Sequence, residues 1–172
     1  FGYDALGQLT TVTDPTGVVS ETHYGVLGRV DWTKDGAGRQ TAYTYRDDGS
    51  LSKTTAPDGG VSENVYDTAG RLSKVIDPAG RVTETVYDTA GRVWKTIAPG
   101  GGTTVTDYDV VGRPKKVTDP TGAATQTTYT DAGRPKTITD AAGVVTTFTY
   151  DSAGRLWKSA DPAANTTVST YW

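Results

Sequence analysis

The chain has 172 residues and a net charge of −3, from seventeen basic and twenty acidic side chains, so composition gives no electrostatic reason to expect a nucleic-acid partner. Hydrophobic residues make up 35%, with two Phe and neither Cys nor Met; this argues against an ordinary compact core and excludes disulfides, thiolate metal sites and a Cys nucleophile. No run of about 18 apolar residues occurs, so no membrane insertion is expected, and the start at Phe1 reads as a processed product or an excised segment.

Along the chain, Tyr recurs every 21 residues, at Tyr3, Tyr24, Tyr45, Tyr66, Tyr87, Tyr108, Tyr129, Tyr150 and Tyr171, without insertion or deletion; only Tyr43 stands outside the series. A fixed period of this length is the signature of a repeat architecture. Residues 1–172 therefore read as a single array of eight units, beginning at each Tyr from Tyr3 to Tyr150. Four residues after each Tyr comes a glycine: Gly7, Gly28, Gly49, Gly70, Gly91, Gly112, Gly133 and Gly154. In six units an arginine follows it, at Arg29, Arg71, Arg92, Arg113, Arg134 and Arg155, while Gln8 and Ser50 take its place in the other two. A second glycine recurs at Gly17, Gly38, Gly59, Gly80, Gly101, Gly122 and Gly143, often within Asp-Pro-x-Gly, and Ala164 breaks this series.

Both punctuation marks have the form Asp-x-x-Gly, which suits a type I turn closed by a glycine in the left-handed region. Between the turns lie segments of six and seven residues such as 71–76 and 81–87, strand lengths rather than helix lengths. About sixteen antiparallel strands follow, extending on the order of 75 Å at roughly 4.8 Å per strand unless the sheet curls. With a Gly bulge at the Asp-Pro-x-Gly turn, Lys53 falls opposite Glu63 and Lys74 opposite Glu84, with Arg71 across from Tyr87 and Arg92 across from Tyr108. Tyr and Arg are then a mortar between units. The period is odd, so if both turns are alike the two faces of the sheet would exchange in every unit unless a bulge or a different loop absorbs one residue. Pro114 and Pro135, two residues after the turn glycine, mark a position that donates no essential ladder hydrogen bond.

The run Tyr66-Asp67-Thr68-Ala69-Gly70-Arg71-Leu72, and its counterpart from Tyr150 to Leu156, closely resembles the YD repeat of the Rhs (rearrangement hotspot) family. That family includes bacterial Rhs toxins, the BC component of Tc toxins, wall-associated protein A and teneurins. The resemblance implies an all-β fold in which tandem hairpins form a curved, spiralling sheet, wound in the toxins into a hollow shell around a C-terminal toxic domain. It also implies a secreted, extracellular or cell-surface protein of bacterial origin, with further YD repeats of a longer chain, or copies of itself, as partners. An enclosed toxin domain or surface glycans are additional candidate partners.

The remaining residues give little chemistry. His23 is the only histidine and has no repeated partner, so no catalytic residue is assigned and a non-enzymatic role is expected. Asp4, Asp67, Asp88, Asp109 and Asp151 read as turn caps rather than calcium ligands, because their spacing matches neither an EF-hand loop nor the nonapeptide repeat. No cofactor or metal is expected. Trp32, Trp94 and Trp157 fall outside the repeat framework and are candidates for stacking on a ligand, a sugar in particular, against the alternative of plain packing. Asn165-Thr166-Thr167 is a sequon. Three functions follow: a shell-wall or scaffold segment concerned with toxin encapsulation or delivery, a self-assembling filament or adhesive fibre, and a carbohydrate-binding surface.

Overall fold

The computed structural model describes residues 1–161, 163 and 166–169; Tyr171, Ala164 and the Asn165 sequon lie outside the described residues. The fold is all-β. Two compact halves, Phe1–Glu84 and Thr85–Trp172, divide the chain. The N-terminal half holds β1 (Gly2–Tyr3), β2 (Leu9–Thr13), β3 (Val19–Tyr24), β4 (Val30–Lys34), β5 (Gln40–Tyr45), β6 (Leu51–Thr55), β7 (Val61–Tyr66) and β8 (Leu72–Ile76). It also holds the first part of β9 (Val82–Tyr87), the strand that carries the chain onward. The C-terminal half continues with β10 (Val93–Ile97), β11 (Thr103–Tyr108), β12 (Pro114–Thr118), β13 (Ala124–Tyr129), β14 (Pro135–Thr139), β15 (Val145–Tyr150), β16 (Leu156–Ala160) and β17 (Thr166–Val168). Within each half every strand pairs antiparallel with its neighbours in sequence.

Both turns of a repeat have one geometry. At Asp67 the backbone N–H donates to Arg71 O at 2.8 Å and Gly70 N–H donates back to Asp67 O at 3.0 Å. The same two bonds recur at Asp77, with Arg81 O and Gly80 N at 3.0 and 2.8 Å. Gly70 and Gly80 have φ of 77° and 75°, a conformation that Cβ disfavours in any other residue. Arg71 and Arg81 close the turns with their carbonyls, which is why the strands begin one residue later than the segments read from sequence.

With the two turns identical, the odd residue of the period has to sit in a strand. It does, always in the same place. Across β7 and β8, Asn64 faces Val75 and Val65 faces Lys74, but Tyr66 faces Leu72, so Ser73 is extra. On the other side of β8 the register is regular, Lys74 opposite Glu84 and Ile76 opposite Val82. Equivalent bulges leave out Asp31, Ser52, Lys115, Lys136 and Trp157. A bulge sets two residues against one, and the extra side chain lies beside the residue preceding the Tyr: Ser52 Oγ donates to Thr44 O at 3.0 Å and Ser73 Oγ to Val65 O at 3.1 Å.

The bulge keeps the faces constant. One face carries Ser62, Asn64 and Tyr66 with Val75, and the other carries Val61, Glu63 and Val65 with Lys74 and Ile76. In every described repeat, charged residues at regular ladder positions fall on the second face, opposite the Tyr. Lys53 and Glu63 meet there at 3.0 Å and Lys74 and Glu84 at 3.5 Å, all four partly solvated, so each pair is worth at most about 1 kcal/mol. No described side chain, apolar or polar, is fully buried. Among the described residues there is no hydrophobic core.

The turns of the sheet are instead held by carboxylates. Asp67 Oδ1 accepts from Ala69 N and Arg71 N, both at 2.9 Å, and Oδ2 accepts from Arg71 Nε at 2.8 Å. In two turns where no arginine follows the glycine a hydroxyl serves: Thr16 and Thr121 Oγ1 donate to Asp14 and Asp119 at 2.6 Å. The Arg71 backbone and side-chain bonds hold the Asp67 carboxyl below the usual carboxylate range, and the Thr16 hydroxyl and Val18 N–H do so for Asp14.

Two outcomes follow from these devices. A carboxyl whose pKa is lower in the folded state contributes stability that is present above the unfolded value, about 4, and is lost as pH falls through the folded value. The melting temperature should therefore be flat from about pH 5 to 8 and fall steadily below about pH 4; a melt unchanged in strong acid would contradict this. Deleting Ser73 should lower the melting temperature little more than Ser73→Ala, which removes only a hydrogen bond worth about 1 kcal/mol, because Val65–Lys74 and Tyr66–Leu72 keep their pairing; deleting Val75, which has a ladder partner, should lower it far more, because residues of that strand then change face.

Candidate functional site

What joins one hairpin to the next is built from the last residue of one strand pair and the first residues of the pair before it. Six of the repeat tyrosines reach back fifteen residues: the hydroxyl donates to the carbonyl of the residue that opens the preceding bulged strand. Tyr24 bonds Leu9 O at 3.2 Å, Tyr45 bonds Val30 O at 3.0 Å and Tyr66 bonds Leu51 O at 2.8 Å. In the C-terminal half Tyr108 bonds Val93 O at 2.7 Å, Tyr129 bonds Pro114 O at 2.6 Å and Tyr150 bonds Pro135 O at 2.8 Å. The position is read through its carbonyl, so Pro114 and Pro135 serve there as well as Leu or Val.

An arginine covers the phenol ring. Arg92 and Arg113 place Cζ 4.3 Å from the centroids of Tyr108 and Tyr129, and Arg29 and Arg134 lie 5.2 and 5.5 Å from those of Tyr45 and Tyr150. The partner that the repeat assigns to Arg155 is Tyr171, outside the described residues. Arg92 and Arg113 also hold the aspartates of their own turns, Arg92 Nε bonding Asp88 at 2.7 Å and Arg113 Nε bonding Asp109 at 2.7 Å. One cation thus bridges a turn and the next ring, a contact worth about 0.5–1 kcal/mol at an exposed site.

The guanidinium tips extend to the glycine of the following turn. A Cβ on Gly49 would meet Arg29 Nη1 at 2.8 Å, and one on Gly154 would run into the Arg134 guanidinium. Those glycines are required by φ of 89° and 80°, and a side chain there would displace the guanidinium. In the first repeat Gln8 takes the arginine's place and donates to Gly28 O at 3.3 Å.

The repeat that begins at Tyr45 has Ser50 where arginine belongs, and sequence spacing gave it no seam cation. The structure supplies one from the other side of the turn. Arg46, at the usual aspartate position, lies 5.0 Å over Tyr66 and 3.4 Å from Asp48, while Asp48 Oδ1 accepts from Ser50 N at 2.8 Å. The visible signal was Tyr45-Arg46-Asp47-Asp48, in which cation and cap have traded positions.

The aspartates weighed as metal ligands are committed to turns; Asp4 Oδ1, for example, accepts from Leu6 N and Gln8 N at 2.9 Å. His23 stacks on Trp32 with ring centroids 5.2 Å apart and planes 5° from parallel, and its Nδ1 lies 3.5 Å from Asp31. Lys34 Nζ is 5.0 Å from the Trp32 ring. Trp94 and Trp157 are 44% and 47% exposed.

Comparison with known proteins agrees with this geometry. The RHS Repeat family model matches residues 3–34, 66–107, 108–144 and 129–166. The stretch it leaves unmatched contains the Tyr45 repeat, where Arg46 and Ser50 depart from the pattern. No match is found among curated proteins. Among solved structures, the chain is similar to the TcdB2-TccC3-TEV crystal structure, with 16% identity and a TM-score of 0.79 over 97% of this chain and 10% of that one. It is similar to TcdB2-TccC3 at 20% identity and TM-score 0.77, over 97% and 11% of the two chains. It is also similar to the Photorhabdus luminescens Tc holotoxin pore carrying a TccC3 mutation, at 17% identity and TM-score 0.70, over 88% and 9%. This chain thus spans about a tenth of the length of the chains it matches, and the likeness extends to the fold. With the family model matching well over half of its residues, the chain belongs to the RHS repeat family.

Proposed function

We propose that residues 1–172 form one array that serves as a non-catalytic wall segment in the shell of a secreted bacterial RHS-repeat protein, enclosing or delivering a toxin domain. The observation that carries this reading is the seam. Tyr45, Tyr66, Tyr108, Tyr129 and Tyr150 each join their hairpin to its predecessor through a hydroxyl bond and an arginine over the ring, and no described side chain is buried, so stability comes from neighbours and suits a wall of many repeats. The fold shared with the Tc toxin structures supports the shell, and the matched share of those chains fits a segment of one.

Two measurements test it. Small-angle scattering of the chain should give a radius of gyration well above the roughly 16 Å of a compact globule of this length; a value near 16 Å would overturn the wall reading. In urea unfolding, Tyr108→Phe should cost about 1 kcal/mol, and the cycle of Tyr108→Phe or Tyr108→Leu with Arg92→Ala should show coupling of about 0.5–1 kcal/mol for the Leu variant, which removes the ring. Full additivity in that cycle would mean that the seam does not join the repeats.

A further inference from the structure

The turn that follows Tyr129 departs from its neighbours in one residue. Arg71, Arg92, Arg113 and Arg155 each hold the aspartate of their own turn, at 2.7, 2.6, 2.7 and 2.8 Å. For Arg134 that aspartate is replaced by Thr130. Thr130 Oγ1 accepts from Arg134 N–H at 3.2 Å, which caps the turn, and among the described residues the Arg134 guanidinium has no ion pair. Its Cζ lies 5.5 Å from the Tyr150 ring centroid, against 4.3 Å for Arg92 and Arg113 over their rings. A second departure falls beside the first. Phe148 stands two residues before Tyr150, where the two preceding repeats carry Thr106 and Thr127. Tyr129, Arg134, Lys136, Phe148 and Tyr150 line an open cleft of about 530 Å³, a size that small-molecule sites have. Among the described residues Asp131 is the one carboxylate lining it, so the cleft sets two cations against one acid.

The same two departures coincide in the repeat of Tyr24. Gly25 replaces the turn aspartate there, and Tyr43 stands two residues before Tyr45. A smaller cleft of about 230 Å³ results, lined by Arg29, Tyr43 and Tyr45, but Asp31 lines it as well. The Asp31 carboxylate lies over Gly25, with Oδ1 2.6 Å from where a Cβ on that glycine would stand. Asp31 is the bulge residue of its strand, and the bulge residue at the corresponding place in the Tyr129 repeat is Lys136. The chain thus brings a carboxylate of its own to one cleft and a second cation to the other.

We propose that the cleft between Tyr129 and Tyr150 binds a small aromatic carboxylate, its acid group on the Arg134 guanidinium beside Lys136 and its ring against Phe148. A guanidinium that holds no carboxylate of its own turn offers a planar fork matched to the two oxygens of one from outside. The excess of positive charge selects an anion. The aromatic wall selects a flat apolar body, because rings pack on one another offset or edge to face. An inorganic anion would use the cations and leave Phe148 in water, and a neutral aromatic would leave the guanidinium without a counter-ion. The cleft lies between neighbouring hairpins of the C-terminal half, so its occupancy does not depend on whether the sheet forms part of a shell.

Titration of the isotopically labelled full chain with phenylacetate, followed by NMR, tests this. Saturable shifts confined to Arg134, Phe148 and their neighbours are expected, with a dissociation constant on the order of 1 mM. Phenylethanol, which lacks the acid, and acetate, which lacks the ring, should each bind about tenfold more weakly or worse. Thr130→Asp restores the acid that most other turns carry, so it should capture Arg134 and weaken binding about tenfold, with the melting temperature unchanged or raised. Phe148→Thr should weaken binding about fivefold, and Thr68→Asp in the other half should leave it unchanged. Thr130→Asp and Phe148→Thr install residues that other repeats carry at those positions, and unchanged circular dichroism shows that the variants fold. Absence of saturable shifts, shifts spread over the whole sheet, equal affinity for acetate, or unchanged affinity in Thr130→Asp would overturn the proposal. Tighter binding of adenosine monophosphate than of phenylacetate would overturn it in favour of a nucleotide.

Discussion

A sheet whose side chains are all at least partly wetted has to be stabilised at its seams. The backbone ladder supplies alignment, but a ladder bond replaces bonds to water and gains only about 1 kcal/mol net, and paired strands without a packed face are marginal. The Tyr hydroxyl changes this by fastening each hairpin to the carbonyl that opens the previous bulged strand, and the arginine above it shields the ring while anchoring its own turn. Sequence tolerance elsewhere follows. Positions away from Tyr, Asp, Gly and Arg drift among Thr, Val, Ser, Lys and Pro, because no interior has to be filled.

The bulge is the companion constraint. It makes a period of odd length compatible with a sheet that has two distinct faces, by inserting one residue in the strand after the arginine and none in the strand after. The Tyr face stays neutral at its ladder positions and the other face collects the charge. Because the bulge sets two side chains against one, it also gives each repeat a position free of ladder duties, occupied by Asp31, Ser52, Ser73, Lys115, Lys136 and Trp157 in turn. Individual character is concentrated there.

Much of this was legible in the sequence, and the parts that were not share a cause. Asp-x-x-Gly fixes a turn, and a turn fixes register, so the facing of Lys53 and Glu63 could be read directly. The odd period required an irregularity, yet its place was hidden: both turns carry the same punctuation, and the bulged residues share no chemistry. The acceptor of the Tyr hydroxyl was equally hidden, being a backbone carbonyl that Leu, Val and Pro present alike. Arg46 escaped because spacing records which residue follows the glycine, whereas the seam needs only that a cation arrive over the next ring.

The restriction of contacts to neighbouring strands reaches beyond the single molecule. Excising or duplicating 21 residues joins the same kind of strand end to the same kind of strand start, so every surviving interface is already compatible with its new neighbour. A change of 20 or 22 residues shifts one side of the junction by a single residue, which inverts its faces wherever a bulge does not absorb the difference. Such an array can lengthen or shorten in evolution by recombination between whole cassettes, with folding itself acting as the filter that keeps the reading of the repeat in phase.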